Sequence, residues 1–126
     1  TGGPLVLIVD DEPTALQLMR DYLDENIYQV VGTHSADQAL DLARHLQPDL
    51  IITDVLMPGI NGWDLLRTLK RDTTTAQIPV IVSTVLDQAS QGRDLGAVGY
   101  LRKPVERDTL LREVETALGG RQRRQA

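Results

Sequence analysis

The chain of 126 residues contains no cysteine, so it can form neither disulfides nor thiolate metal sites, which is compatible with the cytosol. It has no surplus of positive charge. Thirteen lysines and arginines face 18 aspartates and glutamates, for a net charge of -5. That balance argues against nonspecific nucleic-acid or anionic-membrane binding as the main task. No apolar run approaches the ~20 residues of a membrane span, and no secretory signal pattern is present. Internal repeats and low-complexity stretches are also missing. What is present is ordinary: 41% hydrophobic and 25% charged residues, in a length that suits one domain with a real core.

Strand-like and helix-like segments alternate along the chain. The strand candidates are Leu5–Asp10, Tyr28–Thr33, Leu50–Asp54, Val80–Thr84 and Gly99–Arg102. The first, third and fourth are nearly continuous apolar runs, the pattern of strands covered on both faces. The second and fifth carry more polar residues and are expected nearer the sheet edges. Pro13 suits a first helical position, followed by Ala15, Leu16, Met19, Tyr22 and Leu23 at helical spacing. Ser35 and Gln38 form a capping-box pattern ahead of Ala39, Leu42, Ala43 and Leu46. Trp63, Leu65, Leu66 and Leu69 mark a third helix, and Leu110, Leu111, Val114 and Leu118 mark the last. Gln88–Leu95 is a poorer helix, with Ser90 and Gly92 and few apolar residues. Repeated βα units predict right-handed crossovers and a parallel sheet with helices on both faces.

Three charged sites stand at the carboxyl ends of strand candidates: Asp10-Asp11-Glu12, Asp54, and Lys103-Pro104. In an open parallel α/β sheet those ends share one edge, where ligands bind. Taken alone, Asp-Asp-Glu after a strand reads as a polar turn and helix start, and a single strand-end Asp reads as structural. Their convergence with a lysine alters that reading. Crowded carboxylates repel one another unless a cation intervenes. Mg2+ suits such oxygen donors, and Mn2+ could substitute. One carboxylate can then act as nucleophile towards a phosphoryl donor, with the metal and Lys103 stabilising the transferring oxygens.

These residues carry a family resemblance across nearly the whole chain. Val9-Asp10-Asp11-Glu12-Pro13, Asp54 followed by Met57-Pro58-Gly59, Asn61-Gly62, Thr84 and Lys103-Pro104 resemble the receiver domain of two-component response regulators. The resemblance implies a flavodoxin-like (βα)5 fold, doubly wound, with a five-stranded parallel sheet in the order 2-1-3-4-5. It implies that Asp54 is the phosphoacceptor, with Asp10, Asp11, Asp54 and the backbone carbonyl of Leu56 holding Mg2+. Lys103 pairs with Asp54 and later with the phosphoryl group, across a cis bond to Pro104. Thr84 is the switch hydroxyl, and Tyr100 is the aromatic switch that moves with it. The implied partner is a sensor histidine kinase or phosphotransfer protein that donates from phosphohistidine. The implied role is a cytoplasmic signalling switch, not an enzyme acting on a separate substrate, as a monomer or weak dimer without membrane or direct nucleic-acid contact.

Residues 1–120 are read as the receiver and 121–126 as a basic tail or start of a linker. The chain opens Thr1-Gly2-Gly3-Pro4 rather than with methionine, as expected of a piece of a longer polypeptide with a kinase or output domain attached. Val85-Leu86-Asp87, Gly92, Leu95-Gly96-Ala97 and Lys103-Pro104-Val105 look most like receivers attached to hybrid histidine kinases. Two residues depart from the common pattern: Asn61 replaces an Asp, and Val85 replaces a small residue after Thr84, narrowing the path between Thr84 and Tyr100. Phosphorylation is expected to reshape the face made by Asp87 to Tyr100 and the last helix. Such a population shift takes ~3–5 kcal/mol, within reach of a few charge-assisted hydrogen bonds.

Leu56 and Leu86, two positions beyond Asp54 and Thr84, are apolar and cannot orient an attacking water, which predicts slow self-dephosphorylation. His34 and His45 read as surface residues, Trp63 as helix packing and the tail arginines as solvated. A haloacid-dehalogenase-type phosphatase would need an acid where Leu56 stands, and an FMN carrier a Ser/Thr/Gly-rich loop in place of Asp10-Asp11-Glu12. A receiver-like interaction module that works without phosphorylation is the remaining alternative, against which the intact acidic set argues.

Overall fold

The computed structural model describes residues 3–24, 27–55, 62–85 and 95–119. Its elements run β1 (Leu5–Val9), α1 (Pro13–Asp24), β2 (Gln29–Thr33), α2 (Ala36–Leu46), β3 (Leu50–Asp54), α3 (Gly62–Arg71), β4 (Val80–Thr84), β5 (Gly99–Arg102) and α4 (Arg107–Leu118). All strand pairs are parallel, in the order β2-β1-β3-β4-β5. The fold is the expected doubly wound α/β sheet, with the two more polar strands at its edges. The poor helix expected over Gln88–Leu95, the expected ligand residue Leu56, and the expected tail at 121–126 lie outside the described residues, apart from Leu95.

Alternation along each strand divides the core into two layers. Leu7, Val9, Ile51, Val80 and Val82 point to one side, where they pack with α2 and α3 through Ala39, Ala43, Leu66 and Leu69. Val6, Ile8, Leu50, Ile52, Ile81 and Leu101 point to the other, against Leu16, Met19 and Leu23 of α1 and Leu110 and Val114 of α4. Every residue of β3 and β4 is buried, as their unbroken apolar runs require. Burying one such Leu or Ile contributes roughly 1.5–3 kcal/mol, so the two layers supply most of the drive to fold.

Some local details differ from the sequence pattern. Leu46 is 43% exposed, because α2 ends there and turns out through Gln47. Gln47 adopts a left-handed backbone at φ 48°, and its side-chain amide donates to the carbonyls of Ala43, Arg44 and Thr74. Those bonds offset the cost of a side chain in that conformation. The capping box is only half direct. Ser35 Oγ accepts from the Gln38 N–H, but Gln38 Oε1 accepts from the Thr33 hydroxyl, which itself accepts from the Ser35 N–H.

Candidate functional site

The carboxyl edge of the sheet gathers the acids. Asp10 follows β1, and its N–H donates to the Thr33 carbonyl at 3.1 Å, extending the strand pairing by one residue. Its Oδ1 accepts from the Glu12 N–H at 3.0 Å, an Asx turn that steers the chain into α1. Asp54 ends β3. Asp10 is fully buried and Asp54 is 5% exposed, whereas Asp11 is open to solvent. One carboxylate oxygen from each of the three lies within 4.8 Å of the others.

A single ammonium bridges the two buried acids. Lys103 Nζ donates to Asp10 Oδ2 at 2.8 Å and to Asp54 Oδ2 at 3.2 Å. Its backbone N–H donates to the Thr84 carbonyl at 2.9 Å, and its bond to Pro104 is cis. Burial alone would lower the Lys103 pKa, but the hydrogen bond and charge of Asp10, reinforced by Asp54, hold it above the usual 10.5. Three carboxylates against one ammonium leave an excess of negative charge suited to a hard divalent cation.

Close backbone packing fixes the Asp54 side of the site. The Gly62 N–H donates to the Val55 carbonyl at 2.9 Å, bringing the start of α3 against the end of β3. A Cβ on Gly62 would collide with the Asp54 carbonyl and come within 2.7 Å of Val55 Cα. Only glycine permits that approach.

Thr84 and Tyr100 share the face opposite Asp54. Tyr100 pairs in register with Val82, two residues before Thr84, so alternation sets both on the α2–α3 side of the sheet. Thr84 is fully buried and Tyr100 is half-buried. Val85 is 54% exposed and lines the cleft with Lys103, Asp54 and Asp11. It therefore stands over the acidic side rather than between Thr84 and Tyr100. Leu56, the expected carbonyl ligand, lies outside the described residues.

Two features beside the acids were not anticipated. His34 is exposed as expected, yet its Nδ1 lies 3.4 Å from the Asp10 carbonyl. An apolar groove flanks the cleft, formed by Ala15, Leu18 and Met19 of α1 with Val85, Pro104 and Val105. Leu18, 42% exposed, interrupts the polar face of α1, and that was the available signal.

Residues 6–115 match the response regulator receiver domain family. The chain belongs to that family. It is 38% identical over 118 residues to the protein PilH of Pseudomonas aeruginosa, covering 91% of this chain and 98% of that one. It is 37% identical over 118 residues to the DNA-binding dual master transcriptional regulator RpaA of Synechocystis, again over 91% of this chain but only 49% of that longer protein. The receiver domain of a signal transduction histidine kinase from Syntrophus aciditrophicus superposes with a TM-score of 0.85 at 33% identity, covering 94% of this chain and 92% of that one. Receiver domains of this family interact with histidine kinases or phosphotransfer proteins, and the acidic trio of this receiver is composed to take a metal. Among the described residues, no helix is long and apolar enough to cross a membrane.

Proposed function

We propose that this receiver is a phosphorylation-controlled switch in which Asp54 takes a phosphoryl group from a phosphohistidine partner. The observation that carries the reading is the Lys103 ammonium shared between the buried carboxylates of Asp10 and Asp54 at the sheet edge. An oxygen of Asp54 forms a bond to phosphorus as the phosphorus–nitrogen bond of phosphohistidine breaks, and the departing electron pair returns to the imidazole. Lys103, already beside Asp54, meets the charge on the phosphoryl oxygens. Asp10, Asp11 and Asp54, with the Leu56 carbonyl, would hold Mg2+ or Mn2+, which supplies further positive charge there. The apolar groove of Leu18, Val85 and Pro104 offers the donor protein a footing next to the acids.

Thr84 then turns its hydroxyl to a phosphoryl oxygen, and Tyr100, on the same face, follows. The change spreads to residues 87–100, β5 and α4, where an output partner reads it. Attachment to a kinase, as in the Syntrophus protein, and a cytoplasmic setting fit the same role. The test is an amide-resolved NMR titration with Mg2+ and beryllofluoride, which mimics the acyl phosphate. Saturable shifts should appear at Asp54, Thr84, Tyr100 and along α4. A response confined to Asp10, Asp11 and Asp54 would leave a metal site without a switch.

A further inference from the structure

Among the described residues, the Ser83 hydroxyl is the buried side-chain oxygen without a hydrogen-bond partner, and it is fully enclosed. Leaving a buried hydroxyl unsatisfied destabilises the fold, so its place in the structure calls for a reason. Register supplies the place. Ser83 pairs with Asp54 across β3 and β4. Val9 pairs with Thr53, so Asp10 and Asp54 are level as well. Two residues before these three stand Ile8, Ile52 and Ile81, all in the core layer beneath α1 and α4. Alternation therefore puts Asp10, Asp54 and Ser83 in one row on one face of the sheet.

Lys103 passes over that row. It lies two residues beyond Leu101, the β5 partner of Ser83, yet its Nζ bonds Asp54 on β3 and Asp10 beyond β1. Its aliphatic stem must cross β4, the strand that carries Ser83, to get there. In this arrangement the ammonium is anchored at its far end by Asp10, and Ser83 has nothing to bond.

The geometry points to Ser83 as a positioning residue for Lys103 in the phosphorylated state. This rests on the switch reading above. Once Asp10 is committed to the cation and Asp54 carries the phosphoryl group, Lys103 loses its acceptor on Asp10. The Ser83 hydroxyl, level with Asp54 on the strand that Lys103 crosses, accepts the released N–H and keeps the ammonium aimed at the phosphoryl oxygens. Ser83 never touches the reacting phosphorus and acts only through Lys103. The cost of the unsatisfied hydroxyl falls on the resting state, and the bond forms in the active one.

The experiment compares wild type, Ser83→Ala, Lys103→Met and the double variant by urea unfolding and by calorimetric titration with beryllofluoride in Mg2+. Ser83→Ala should leave resting stability equal or higher, since it removes an unpaired buried group. It should weaken beryllofluoride binding about tenfold, the factor equivalent to ~1.4 kcal/mol. In the Lys103→Met background the same change should have no effect on binding, because the lysine it serves is gone. Unchanged binding by Ser83→Ala would overturn the inference, with lower resting stability then marking a hydroxyl satisfied by an ordered buried water. A binding loss that persists without Lys103 would also overturn it. A wild-type chain that binds no beryllofluoride refutes the switch reading itself, and this inference with it.

Discussion

Replacing Lys103 with Met tests the electrostatic logic of the site. The substitution keeps the apolar stem but removes the ammonium bonded to both Asp10 and Asp54. It takes the ammonium away from two carboxylates whose side chains are 0% and 7% exposed. Removing one partner of a buried ion pair typically costs ~3–5 kcal/mol. The Lys103 side chain retains 16% exposure, so water reaches the cluster, and the expected loss is scaled to about 2–3 kcal/mol at neutral pH. The sign of the pH dependence follows from the raised pKa of Lys103. Its stabilising contribution is complete below the ordinary value of 10.5 and disappears as pH climbs through the higher folded-state value. Urea unfolding in a chelator should therefore show a constant deficit for Lys103→Met from pH 6 to 9 that narrows above 10.5. Millimolar Mg2+ should recover part of the loss at neutral pH by restoring positive charge to the cluster. Equal stability of variant and wild type at pH 7 without divalent cations would refute this reasoning.

Three further outcomes are expected. Gly62→Val should destabilise by about 1–3 kcal/mol in urea unfolding, because its side chain meets the Asp54 carbonyl and Val55 Cα. Asp72 accepts from the Thr74 N–H and hydroxyl and from Arg44 Nε, and these bonds, those of Thr74 foremost, lower its pKa from 3.8 to about 2. Asp72→Asn should thus be less stable than wild type above pH 3.8, with the gap closing in acid melts as pH falls through about 2. An asparagine at Leu56 or Leu86 should hasten loss of the acyl phosphate, followed by mass spectrometry over time, and an unchanged decay rate would contradict the slow-dephosphorylation expectation.

Much of the scaffold was legible because the strands are buried on both faces. Continuous apolar runs delimited β3 and β4 to the residue, and the more polar Gln29–Thr33 and Gly99–Arg102 lie at the edges. β1 ends one residue short of Asp10, which nonetheless keeps a ladder bond to Thr33. The convergence of Asp10, Asp54 and Lys103 followed from strand ends sharing an edge. Their bonding pattern did not, since sequence gives no measure of how far a lysine stem crosses neighbouring strands. Nor did spacing reveal that Ser83 shares the acids' face of the sheet while its neighbour Thr84 takes the other. Val85 was expected to crowd Thr84, but alternation turns it towards Lys103. The partial capping box has the same origin: Thr33 intercepts a bond that local spacing assigned to Ser35.

The central claim is that Asp54 accepts a phosphoryl group, and intact mass spectrometry after incubation with Mg2+ and acetyl phosphate tests it most directly. Wild type should gain a single phosphoryl group that is lost at alkaline pH, as an acyl phosphate is, and Asp54→Ala should gain none. A wild-type chain that gains nothing, or an adduct that persists in Asp54→Ala, would contradict the account.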